Sequence, residues 1–121
     1  MIVKSIKNQK IIADKCFVAE SFLDRFRGLI GKPKLSPGEG MLFPHCNSIH
    51  MWFMRFSIDV IFLKREQDGV EVRVRVSSVH EGVRPWRFFP LMDFSGSDTL
   101  ELPSGVARQC GIVAGDEVCL S

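Results

Sequence analysis

The chain predicts a mainly β fold, α+β at the margin: a single compact barrel-like or half-closed β-sheet domain with two short helices. Three observations predict it. Residues 70–76 alternate strictly, with Val72, Val74 and Val76 turned inward and Glu71, Arg73 and Arg75 outward, the period of a half-buried strand. Asp68-Gly69 precedes them, a strong tight-turn signal between strands. Elsewhere short apolar segments are separated by glycine, proline and asparagine, as in small sheets that curl or close. With 121 residues, 45% of them hydrophobic, one core is expected over residues 1–121.

Taken in order, Ile11-Ile12 and Cys16-Phe17-Val18 read as two short strands with Asp14-Lys15 turning between them. Ser21 opens a helix: its hydroxyl can accept early backbone N–H groups, and Asp24 suits the positive helix start. Phe22, Phe26 and Leu29 fall on one face of it, and Gly31 ends it. Residues 32–40 hold two prolines and two glycines and form a loop. A short strand is expected over 40–43, a turn over 44–47, and strands over 50–56 and 58–64. Residues 81–98, rich in Gly, Pro, Ser and aromatics, read as a long surface excursion with at most one short strand. Residues 99–102 form a strand, in which Glu101 alternates with Leu100 and Leu102 and is expected to face solvent. Pro103-Ser104 opens a short helix with Val106, Ala107 and Cys110 facing in and Gly111 at its end. Gly115-Asp116 turns the chain into a last strand over 117–120.

Sixteen basic and fourteen acidic residues leave a net charge of +2. So even a balance gives no argument for nucleic acid or an anionic membrane. The first ten residues lack the continuous apolar segment of a signal peptide, and no apolar run is long enough to cross a bilayer. A cytoplasmic protein is expected. Cys16, Cys46, Cys110 and Cys119 are scattered, with no Cys-x-x-Cys pair, so reduced, mostly buried thiols are expected rather than a disulfide or zinc framework. The glycines form no phosphate-cradling motif. No cofactor and no metal are expected.

The candidate site lies in the segment from His50 to Leu63, strongly apolar yet holding His50, Arg55 and Asp59. Buried charge is costly unless paired or hydrogen-bonded. In an extended strand His50, Trp52, Met54 and Phe56 share one face, and in the next strand Asp59, Ile61 and Leu63 share another. On the functional reading, His50, Arg55 and Asp59 are polar anchors at the rim of an apolar groove walled by Trp52, Met54 and Trp86, the composition of many ligand pockets. On the plainer reading, Asp59 accepts backbone N–H bonds and pairs with Arg55, fixing strand register. The leading function is a non-enzymatic binding module for a small molecule, peptide or protein partner.

Other readings stand beside it. Cys46 and His50 lie four apart and could form a nucleophile and its base, with Asp59 as a third group. His45, Cys46, His50, Met51 and Met54 form a soft-ligand cluster of the kind that suits reduced copper, although methionines in an apolar strand ordinarily pack. Arg65, Arg73, Arg75, Arg84 and Arg87, with Trp86, Phe88 and Phe89, could bind single-stranded nucleic acid. The even charge makes that the weakest of these.

Several blocks also carry a family resemblance. They are Arg27-Gly28-Leu29, Glu39-Gly40-Met41-Leu42-Phe43, the segment Cys46 to Leu63, Leu100-Glu101-Leu102-Pro103-Ser104-Gly105, then Gly111-Ile112 and Gly115-Asp116. In order and spacing the chain resembles the small prokaryotic proteins grouped as domain of unknown function 192, over about residues 17–120. Ser57 departs from that pattern, where proline is expected, and residues 83–98 carry little of it. The resemblance implies a compact, mostly β domain and no particular reaction.

Overall fold

The structure is a computed structural model that describes residues 1–19, 35–49, 56–67, 72–85 and 90–121. Ten strands are seen there: β1 (Val3–Ser5), β2 (Ile11–Ala13), β3 (Lys15–Val18), β4 (Glu39–Phe43), β5 (Ser48–Ile49), β6 (Ile58–Gln67), β7 (Val72–Val83), β8 (Leu91–Met92), β9 (Asp98–Pro103) and β10 (Glu117–Leu120). One helix, α1 (Val106–Cys110), lies between β9 and β10. Eight strands form one sheet in the order β2-β1-β10-β7-β6-β9-β4-β3, and β5 pairs with β8 in a separate ribbon. Among the described strands only the β3–β4 pair is parallel.

The two edges of this sheet are consecutive in the chain. β2 ends at Ala13 and β3 begins at Lys15, so the sheet curls until its edges meet at Asp14. Gly38 O accepts both Asp14 N–H (3.1 Å) and Lys15 N–H (2.9 Å) at that corner. Among the described residues no ladder joins β2 to β3. The sheet is therefore half-closed and not a barrel.

Curling gives the sheet an inner and an outer face, and both carry apolar side chains. The inner cluster includes Ile12, Leu42, Ile61, Leu63, Val74, Val76, Leu100, Leu102, Val118 and Leu120. The outer cluster holds Leu35, Ile58, Val60, Phe62, Val83 and Leu91, with Met41, Ile49 and Phe56 against it. Through Ile49 and Leu91 the β5–β8 ribbon covers part of that outer face. β6 serves both clusters, which is why 58–63 reads as an almost unbroken apolar run: a strand covered on both faces has no solvent side to mark. Ile58, Val60, Ile61, Phe62 and Leu63 are each at most 1% exposed, and each such burial is worth about 1.5–3 kcal/mol.

α1 forms as expected, with Ala107 and Cys110 buried and Gly111 in the left-handed conformation at its end. The predicted turn at Asp14 and the last strand also form. Three elements differ from expectation. β1 and β5 fall outside every expected strand. β7 runs on through residues 77–80 to Val83, at the start of the predicted excursion; its sequence does not show it, since residues 77–82 are mostly polar and the β6–β7 ladder shifts register three times. Such bulges break the period of two on which the strand reading relied. The helix expected near 21–30, most of the strand expected over 50–56 and the Asp68-Gly69 turn lie outside the described residues.

Candidate functional site

Three neighbouring strands bring one row of side chains to the outer face. Glu101 of β9 pairs with Val60 of β6, and Val60 with His80 of β7. Met41 of β4 extends the row beyond Glu101. The next row runs Phe43, Thr99, Phe62, Ser78. A polar minority thus sits in an apolar field.

Glu101 overturns the expectation that it faces solvent: it is 7% exposed. The Leu-Glu-Leu alternation correctly puts it opposite its leucine neighbours, but the face it enters is itself covered by the outer cluster. Among the described residues its buried Oε2 has no hydrogen-bond partner. Desolvation pushes the carboxyl from its ordinary 4.5 up to about 8, because burial penalises the charged form. Near neutral pH the group is largely a neutral acid.

His80 is held by a polar chain. Ser77 and Ser78 donate to Asp93 Oδ2 at 2.7 and 2.6 Å. With its proton given to Asp93, Ser78 Oγ is left as an acceptor for His80 Nε2 at 3.1 Å. The His80 ring meets the edge of Phe62 with centroids 5.6 Å apart. Asp93 is lowered below the ordinary carboxylate value, first by the Ser78 hydroxyl against the opposing effect of burial, then by Ser77 and the Ser95 amide. Beside this row, His80, Glu81, Gly82, Val83, Arg84 and Pro85 line an open cleft of about 650 Å³.

Asp59, one strand position from Val60, points the other way. It is fully buried. Oδ1 accepts Gly82 N–H at 2.9 Å, and Oδ2 accepts Gly105 N–H and Ala107 N–H, both at 3.0 Å. Gly105 is the cap of α1 and has no side chain with which to cap it; Asp59 supplies the missing acceptor from another strand. The carboxylate ties β6 to the end of β7 and the start of α1, as the plainer reading of Asp59 requires. Its expected contact with Arg55 lies outside the described residues, as do His50, Trp52, Met54, Arg55 and Trp86 themselves.

Cys46 donates its thiol to Ser48 O at 3.1 Å, and its carbonyl accepts the Thr99 hydroxyl at 2.7 Å. Its contact with His50 also falls outside, as does most of the soft-ligand set. Among the described residues, no three His, Cys, Asp or Glu side chains gather closely enough to hold a metal ion. Three arginines of the would-be nucleic-acid face carry carboxylate partners: Arg65 pairs with Asp98 at 2.9 Å, Arg73 with Glu117 at 3.8 Å, and Arg75 with both Glu66 and Glu117. His80, Ser78 and Asp93 escaped the sequence reading, and Glu101 was read there as a solvent-facing residue. Only Glu101 left a signal there, an acid inside the Leu-Glu-Leu-Pro block.

Fold and face define a half-closed β-sheet domain whose outer apolar face holds a buried acid with no partner among the described residues. The chain belongs to the family described as "Uncharacterized ACR", domain of unknown function 192, which it matches over residues 2–120. A UPF0127 protein of Thermococcus sibiricus is 31% identical over 122 residues, covering 98% of this chain and 73% of that protein. A UPF0127 protein of Pyrococcus furiosus is 30% identical over 106 residues, covering 83% and 81%. Among solved structures, a protein of unknown function from Novosphingobium aromaticivorans superposes with a TM-score of 0.78 at 23% identity, covering 97% of this chain and 81% of that one. A second, from Sinorhizobium meliloti, reaches 0.77 at 20% identity, covering 97% and 88%. These two support the fold alone. Among the described residues no helix is long and apolar enough to cross a membrane.

Proposed function

We propose that the protein is a cytoplasmic, non-enzymatic binding module, one domain, whose groove lies on the outer face of the sheet. The observation that carries this reading is Glu101: an acid buried in an apolar cluster, with Oε2 unpartnered among the described residues. Buried polar atoms are normally satisfied, and an exception asks for an explanation. An incoming ligand group supplies one. Beside Glu101, the groove takes His50 and Arg55 as further anchors and Trp52, Met54 and Trp86 as walls. Asp59 belongs to it as the residue that fixes the sheet beneath. The cleft along His80–Pro85 is the way in.

The chain has two tryptophans, and both are assigned to the groove walls. Titration with 1-hexanol should therefore change tryptophan emission saturably, and Trp52→Phe and Trp86→Phe should each reduce the amplitude. An emission that drifts linearly with hexanol, with no saturation in the unmodified protein, contradicts the groove.

A further inference from the structure

We propose that Glu101 anchors an organic cation, an ammonium or guanidinium group on an apolar body, against the outer face of the sheet. This rests on the groove reading above and names its ligand.

The three buried acids of the described residues make the case by contrast. Asp59 is satisfied by three backbone N–H groups. Asp98 is satisfied by the Arg65 guanidinium and by His45 N–H. Glu101 has neither kind of partner: its Oε2 is buried and unbonded, and no described basic side chain forms an ion pair with it. Its cross-strand neighbours are Met41 and Val60, which offer no donor. An anionic ligand would be repelled in the ionised form that prevails above about pH 8, and a purely apolar one would leave Oε2 as it is. A cation supplies charge and donors together, and charge-assisted hydrogen bonds are the strong ones. Across Val60 the row leads to His80 and the open cleft, so an apolar body has a wall to lie on.

Binding is a balanced exchange. The neutral Glu101 acid gives its proton to water, and the resulting carboxylate pairs with the ammonium. Other titratable groups on the described part of this face include Lys15 on β3 opposite Glu39 on β4, Lys64 on β6 opposite Arg75 on β7, His80 on β7 and Asp93 after β8. Glu39 accepts Ser36 N–H at 2.8 Å. β6 brings Ile58, Val60 and Phe62 to the outer cluster, and β5 and β8 bring Ile49 and Leu91.

The test compares n-hexylammonium with 1-hexanol, two chains that differ in charge, while the Glu101 side-chain carboxyl is followed by 13C NMR. At pH 8 hexylammonium should bind at least tenfold tighter than hexanol and should lower the pH at which Glu101 titrates. Glu101→Gln, its fold checked by circular dichroism, should abolish the difference between the two solutes. Equal affinity for both in the unmodified protein, or a Glu101 titration unmoved by hexylammonium, overturns the proposal and leaves the apolar groove standing. Saturable binding of neither solute overturns both.

Discussion

Asp59 and Glu101 come from paired strands and meet opposite sides of the sheet, and each tests a different part of the account. Asp59 was legible as buried because an acid inside an apolar strand must find partners; which amides it would find was not, since Gly82, Gly105 and Ala107 are 23 to 48 residues away. Asp59→Ala leaves three buried N–H groups without an acceptor and should cost about 3–5 kcal/mol by urea unfolding, with faster amide exchange at Gly105 and Ala107. A loss below about 1 kcal/mol would show those bonds to be dispensable. Glu101 was misread because alternation reports which side of a strand a residue takes and not whether that side is covered. Its folded value of about 8 lies above the ordinary 4.5, so the unfolded chain ionises first. Its contribution to stability should be fully present below about pH 4.5, fall as pH rises to about 8, and be lost beyond. A ceiling for that fall is roughly 5 kcal/mol. Glu101→Gln lacks this titration, so its stability relative to the unmodified protein should rise across that window, as urea unfolding at pH 5 and pH 9 would measure.

Element by element, local chemistry made the strands legible where one period held and hid them where it broke. Val72 to Val76 alternate and were found; the continuation of β7 through Ser77 and Ser78 lies beyond a bulge and shows no period, and only its end, from residue 81, falls in the expected excursion. The pairing of β3 with β4 was equally invisible, because it joins segments more than twenty residues apart. The corner at Asp14 depends on Gly38, which has φ +85°, and a Cβ there would stand 2.5 Å from Asp14 Oδ1. Gly38→Ala should cost about 2 kcal/mol in thermal or urea unfolding; a neutral result would show that the corner yields freely. A second tie is the Arg65–Asp98 pair, which joins β6 to the start of β9 while Asp98 also accepts His45 N–H. Arg65→Ala strands a fully buried carboxylate and should cost about 3 kcal/mol, whereas Arg73→Ala, at an exposed and longer pair, should cost less than 1 kcal/mol.

For the molecule as a whole, curling is what creates a candidate site. A flat sheet of this size would expose one face; here the inner face closes on itself and the outer face gathers its own cluster, with a short ribbon over part of it. Alternation and turn signals foretold the β-rich domain, but neither composition nor periodicity could say that the outer face would hold an acid with no partner among the described residues. The groove reading and its organic cation both depend on that acid being dry and uncompensated. The direct measurement is the 13C titration of the Glu101 side-chain carboxyl in the ligand-free protein, assigned by its absence in Glu101→Gln. A midpoint near pH 8 is the predicted result. A midpoint near 4.5, the ordinary value, would mean that water or a cation of the chain already satisfies the group, and would contradict the account.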